Sequence, residues 1–265
     1  MKPNVLIFSG YGLNCEEETK FAFELSGAKA DIVHINDISD GYIKLKNYQI
    51  LAFPGGFSYG DDTGSGNAFA YNVKNHIWED LQKFVLKDTL VIGICNGFQI
   101  ITNLGLVPAL KQSYGKKQSA LLHNSTARYM NRWVDLKVMN DSPWLKGITS
   151  MMAPIAHGEG KFYVDEKTLK EMETKKMVAL RYYKGEICTH LDLEANPTGT
   201  LEGIAGITNE NGRILGLMPH PERAIFFNQL PHWTLLKETY TRSGKEVPTD
   251  GPGLKIFRNA VDYFT

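Results

Sequence analysis

Short apolar runs alternate with helical patterns from the first residues, and that alternation restricts the chain to few folds. NVLIF (4–8), DIVHI (31–35), QILAF (49–53) and LVIGI (90–94) have the length and bulk of buried strands. Helical spacing intervenes from about Glu16 to Ser26 and near residues 68–86, and again after Cys95, where Phe98, Ile100, Ile101 and Leu104 recur on one face. Strands separated by helices predict an α/β chain: an open, mostly parallel sheet with helices on both faces. Glu16, Glu17 and Glu18 stand where the positive end of a helix dipole favours carboxylates.

The second half changes character. VDLKV, MVALRYY, GIAGIT and RILGLM are strand-like runs joined by short turns, with Asn209 to Gly212 reading as a hairpin, so an antiparallel extension of the sheet is expected. From about Pro231 the tail predicts a helix, an irregular stretch (SGKEVPTDGPG) and a final short helix. No linker or repeat interrupts the chain, which reads as a single domain over residues 1–265 with an extended tail from about 231. With 29 basic and 29 acidic residues there is no global field for nucleic acid or an anionic membrane, leaving small molecules and proteins as partners. The three cysteines (Cys15, Cys95, Cys188) form neither a disulfide framework nor a Cys-x-x-Cys pair, and a reducing cytoplasm is expected. The apolar run before Ser9 is too short for a signal-peptide core, and no window approaches a membrane span.

Against this background VIGICNGFQI (91–100) places a thiol on a strand-to-helix turn. A free cysteine is most often a small buried hydrophobe. Here the frame Gly93-x-Cys95-x-Gly97 has the logic of a nucleophile elbow, and the following helix N-terminus favours a thiolate. A nucleophile needs a base. Two His-x-Glu pairs offer one: His157-Gly-Glu159 and His220-Pro-Glu222. Pro221 holds His220 extended, so Glu222 can orient its ring, and RILGLM delivers it to the end of a strand. His157 is flanked by glycines expected to leave it mobile, lining the site or a partner surface. These properties favour His220. The loop PGGFSYGDD (54–62) follows a strand and can turn the Gly55 and Gly56 N–H groups toward an oxyanion, together with the Asn96 amide. Gly10-Tyr-Gly12 lacks the third glycine of a dinucleotide fingerprint, because Cys15 stands in its place. No phosphate loop and no four-ligand zinc set are visible, so no metal is implied.

With these parts in hand, the chain resembles the class I glutamine amidotransferases, and within them the glutaminase subunits of phosphoribosylformylglycinamidine synthase. The matching stretches are GLNCEEET (12–19), FPGGFSYGDD (53–62), GICNGFQI (93–100), NSTARYMNRW (124–133), HGEGKF (157–162) and GLMPHPERA (216–224), spread over most of the chain. The resemblance implies a flavodoxin-like open mixed sheet, Cys95 as nucleophile, His220 as acid/base and Glu222 as its orienting carboxylate. It also implies Gly56 and Asn96 as oxyanion donors, with Gln99 and Phe57 beside bound glutamine. It implies a synthetase subunit as partner, with ATP and Mg on that subunit and no cofactor in this chain, and a small third subunit in the multi-subunit form. Many small subunits of the family carry an arginine after the GGFSYGD loop, whereas this chain reads TGSGNAF (63–69). The other roles open to it are a glutaminase serving a different synthetase and a non-catalytic regulatory module.

Overall fold

A computed structural model describes residues 2–265. In chain order the elements are β1 (Asn4–Ser9), α1 (Glu16–Leu25), β2 (Lys29–His34), α2 (Ile35–Ser39), β3 (Ile50–Phe53), α3 (Asn67–His76), α4 (Trp78–Val85), β4 (Leu90–Ile94) and α5 (Asn96–Asn103). There follow β5 (Ala120–Leu122), β6 (Met130–Val138), β7 (Ser150–His157), β8 (Lys161–Tyr163), α6 (Glu166–Thr174), β9 (Val178–Tyr182), α7 (Glu186–His190), β10 (Ile204–Thr208), β11 (Ile214–Leu217), α8 (Trp233–Arg242) and α9 (Leu254–Asp262).

The main sheet has nine strands in the order β2-β1-β3-β4-β11-β10-β9-β6-β7, and β5 pairs with β8 separately. The first five are mutually parallel and the remaining neighbours antiparallel, the mixed architecture expected from the sequence. The parallel strands inside the edge strand β2 are covered on both sides. Val5, Leu6, Ile7 and Phe8 in β1, and every residue of β3 and β4, are buried, which is why these segments read as continuous apolar runs instead of alternating ones. The chain leaves β1 for β2 on one side and later returns to β3 on the other, so a crevice opens outside the carboxyl ends of β1 and β3.

Three expectations need correction. The helical stretch at 68–86 is two helices, α3 and α4, broken at Ile77 (φ −130°, ψ 12°), and nothing in the local sequence explains the break. Ile35 closes no strand: it begins α2, whose first turn is capped by His34 accepting from the Asn36 N–H. An unanticipated eight-residue strand, β7, passes through Pro154. Proline is tolerated there because β7 is the sheet edge, pairing with β6 alone.

The overhang of this last hairpin matters most. β6 pairs with β7 over Met130 to Lys137 but with β9 only over Leu136 to Val138. The open half of the hairpin therefore projects past the sheet, and the Pro154 carbonyl accepts the His220 N–H at 2.8 Å beyond the end of β11.

The tail after Pro231 supplies the two predicted helices. α9 packs on α1 through the edge-to-face pair Phe23–Phe257, with ring centroids 5.0 Å apart, and Asn259 donates from its buried amide to the Trp144 and Lys146 carbonyls at 2.9 and 2.8 Å. Replacing Asn259 with Ala leaves both carbonyls without that donor and should lower the unfolding free energy by about 1–3 kcal/mol. A urea unfolding curve measures the shift directly.

Candidate active site

The carboxyl ends of β1, β3, β4 and β11 meet around a cleft of about 80 Å³ lined by Asn14, Cys15, Gly56, Phe57, Cys95, Tyr129, Ala156, His220 and Arg223. Cys95 occupies the turn between β4 and α5 with φ 52° and ψ −108°, a conformation costly for any residue with a side chain. The flanking glycines serve a different purpose from the one their spacing suggests, since neither has a left-handed backbone. A Cβ on Gly97 would stand 1.8 Å from the Phe53 carbonyl oxygen, and one on Gly93 would stand 2.6 Å from the Gly97 carbonyl. The glycines let α5 lie directly on the sheet, and the strain falls on Cys95 itself.

Two loops close the crevice from the other side. The Phe57 N–H donates to the Gly12 carbonyl, and the Asn14 and Cys15 N–H groups both donate to the Gly55 carbonyl. A Cβ on Gly12 would meet the Phe57 oxygen at 2.5 Å, so the Gly10-Tyr-Gly12 segment serves loop pairing here, with no dinucleotide fingerprint behind it. Gly56 lines the cleft, and the Asn96 N–H belongs to the unpaired first turn of α5. The Asn96 side chain fixes this arrangement by accepting from the Ser58 N–H at 3.0 Å and donating to Asp61 and Gln99.

His220 follows β11 and is 2 % exposed; its Nδ1 lies 2.5 Å from Glu222 Oε1, while its Nε2 has no partner among the described residues. Burial alone pushes the imidazole pKa down, but the Glu222 carboxylate and then Cys95 outweigh it, leaving the group well above its ordinary value. Cys95 shares the cleft and donates its thiol proton to the Ala156 carbonyl at 3.7 Å. A thiol on a strained turn, a carboxylate-oriented imidazole and N–H groups at a helix start are the parts that acyl transfer from an amide requires.

The structure brings Cys95, His220, Glu222, Gly56, Asn96 and Phe57 to this one place. Gln99 lies outside the lining: it accepts from Asn96 and donates to the Glu159 carbonyl at 2.6 Å. His157 is buried at the end of a strand, not set on an open glycine loop. It falls on the buried face of β7 by strand alternation, is 2 % exposed, and has both ring nitrogens without partners among the described residues. The TGSGNAF loop packs on α5 and the turn after β7, with the Ser65 N–H donating to Glu159 and the Asn103 side chain donating to the Ser65 carbonyl. Reasoning from sequence passed over Cys15 and Arg223. The Arg223 guanidinium donates to Cys15 Sγ at 2.9 Å and pairs with Glu18 at 3.3 Å, and only the fold reveals that residues two hundred positions apart meet.

The chain matches the family model of the CobB/CobQ-like glutamine amidotransferase domain over residues 2–264, and it belongs to that family. It is 49% identical over 268 residues to the phosphoribosylformylglycinamidine synthase subunit PurQ of Methanococcus maripaludis, covering 100% of this chain and 99% of that one. The PurQ of Dehalococcoides mccartyi is 38% identical over 266 residues, 99% of this chain and 98% of its own. Among solved structures, a chain in PurLQS from Thermotoga maritima superposes with a TM-score of 0.73 at 30% identity, covering 100% of both chains. No helix among the described residues is long and apolar enough to cross a membrane.

Burial, and secondarily His220, push the pKa of His157 down to about 3 from an ordinary 6.5. Below about pH 6.5 the unfolded chain binds a proton at this position that the folded chain refuses, so stability falls as pH drops from 6.5 toward 3. His157→Gln should flatten that fall by up to about 1.4 kcal/mol per pH unit, read from denaturant curves at pH 7, 6 and 5. Superimposable slopes for the two proteins would mean that native His157 takes up the proton.

Proposed function

We propose that this chain is the glutaminase subunit of a phosphoribosylformylglycinamidine synthase, hydrolysing L-glutamine and delivering ammonia to a synthetase subunit. One observation carries the reading: Cys95 sits on a strained turn in the same cleft as the buried His220–Glu222 pair. The full-length likeness to PurQ subunits supports the choice of acceptor, and the likeness to a chain in PurLQS supports a multi-subunit assembly.

The chemistry follows from the parts. Cys95 sulfur, its proton held on the His220 ring, attacks the side-chain amide carbon of glutamine, and the oxygen that gains the charge is held by the Gly56 and Asn96 N–H groups. His220, kept cationic by Glu222, protonates the departing ammonia and leaves a glutamyl thioester on Cys95. The now neutral imidazole deprotonates a water, which hydrolyses the thioester to glutamate and regenerates the thiol. Phe57 flanks the bound substrate from the cleft wall, and Gln99 acts by holding the Asn96 side chain. Ammonia released into neutral water becomes unreactive ammonium, so it must pass through a shielded route to the partner. The ATP-dependent conversion of formylglycinamide ribonucleotide to formylglycinamidine ribonucleotide, with its ATP and Mg, belongs to that partner.

The test compares wild type and Cys95→Ala in glutamate release, alone and with the synthetase subunit, ATP and formylglycinamide ribonucleotide. Wild type should hydrolyse glutamine faster in the complex, and Cys95→Ala should lose glutamine use by roughly 10³-fold or more while added ammonia still supports amidination. Glutamine use that survives loss of Cys95 would overturn the chemistry. An active wild type indifferent to this synthetase would transfer it to another acceptor.

A further inference from the structure

We propose that Cys15, His220 and Glu222 form a buried site for a soft divalent cation of the zinc class, and that filling it switches the glutaminase off. Cys15 has no part in the amide chemistry, yet it is 1 % exposed and lines the same cleft as Cys95. Its sulfur, one ring nitrogen of His220 and one carboxylate oxygen of Glu222 lie within 4.8 Å of one another. Metal–ligand bonds of about 2.0–2.3 Å place tetrahedral donors some 3.3–3.8 Å apart, so ligation draws the sulfur in and opens the 2.5 Å contact between His220 Nδ1 and Glu222 Oε1.

Other features point the same way. Glu222 Oε2 is buried without a partner among the described residues, which leaves one carboxylate oxygen free to take a cation. Gly55 keeps that volume open: a Cβ there would stand 2.7 Å from His220 Cε1 and 2.9 Å from Cys15 Sγ. The sulfur already attracts positive charge, since Arg223 donates to it at 2.9 Å. Sulfur, imidazole and carboxylate together select zinc-class ions over magnesium or calcium, which prefer all-oxygen sites. The cation enters by expelling the Cys15 thiol proton and the His220 ring proton to solvent and by taking the sulfur from Arg223. A cation held by His220 and Glu222 removes the acid/base from the reaction.

The inhibition rests on the glutaminase reading; the binding does not, and the two are measured separately. Cadmium titrated into the metal-free chain should develop thiolate-to-cadmium absorption saturating at one equivalent. Cys15→Ser should weaken binding at least about tenfold, Cys95→Ser should retain it, and Arg223→Gln should tighten it by removing the competing cation. Absorption unchanged in Cys15→Ser, or lost in Cys95→Ser instead, overturns the site. If Cys15→Ser fails to fold, His220→Gln carries the same expectation. In the complex, zinc should stop glutamate release reversibly on chelation, and Cys15→Ser should raise the inhibiting concentration about tenfold relative to its own zinc-free rate. Stoichiometric binding that leaves glutamate release untouched overturns the switch.

Discussion

The contact between α5 and β3 governs this molecule. Gly97 has so little room above the Phe53 carbonyl that any side chain would overlap the strand, and the helix is thereby pressed onto the sheet at its first turn. A helix seated that close cannot be reached from β4 by a relaxed connection, and the one residue between them, Cys95, absorbs the mismatch at φ 52°. Its strain is held by the Cys95 N–H donating to Leu217 and by the wholly apolar strands beneath. The thiol is thus lifted above the sheet by packing that has nothing to do with sulfur.

Everything else in the site is arranged around that fixed point. β11 lies beside β4, so the chain leaving it carries His220 to the same sheet end. The overhanging half of the β6–β7 hairpin folds across, holding the His220 backbone through Pro154 and meeting the thiol through Ala156. An edge strand far from β4 in sheet order thereby becomes a wall of the cleft. The projecting end of this edge strand is engaged within the chain itself, its Pro154, Ala156 and His157 carbonyls accepting from His220, Cys95 and Asn124.

The parallel half of the fold was legible because β1, β3, β4 and β11 are buried on both faces and therefore almost continuously apolar. The elbow was legible because glycines bracket a thiol at a strand-to-helix boundary. β7 was not: SMMAPIAH contains a proline, and only its edge position makes that proline harmless. Cys15 was invisible for a related reason. Its neighbours in sequence open a helix, whereas its neighbours in space come from the loop after β3 and from the segment after β11. Local periodicity reports burial and secondary structure; it carries no record of which loops zip together.

The two His-x-Glu pairs show how far spacing alone can be trusted. At 220 the backbone after Pro221 turns so that Glu222 reaches the ring, and its charge outweighs burial. At 157 the strand ends and the turn carries Glu159 away, where it accepts from the Ser65 N–H and faces His123. Left without a carboxylate, the His157 ring is governed by burial and stays neutral. Identical spacing thus yields one histidine biased toward the cation and one held neutral beside it, a separation that supports the acid/base role proposed for His220. A neutral His157 is also what the arrangement requires, since a second buried positive charge near His220 would undo the stabilisation that Glu222 provides.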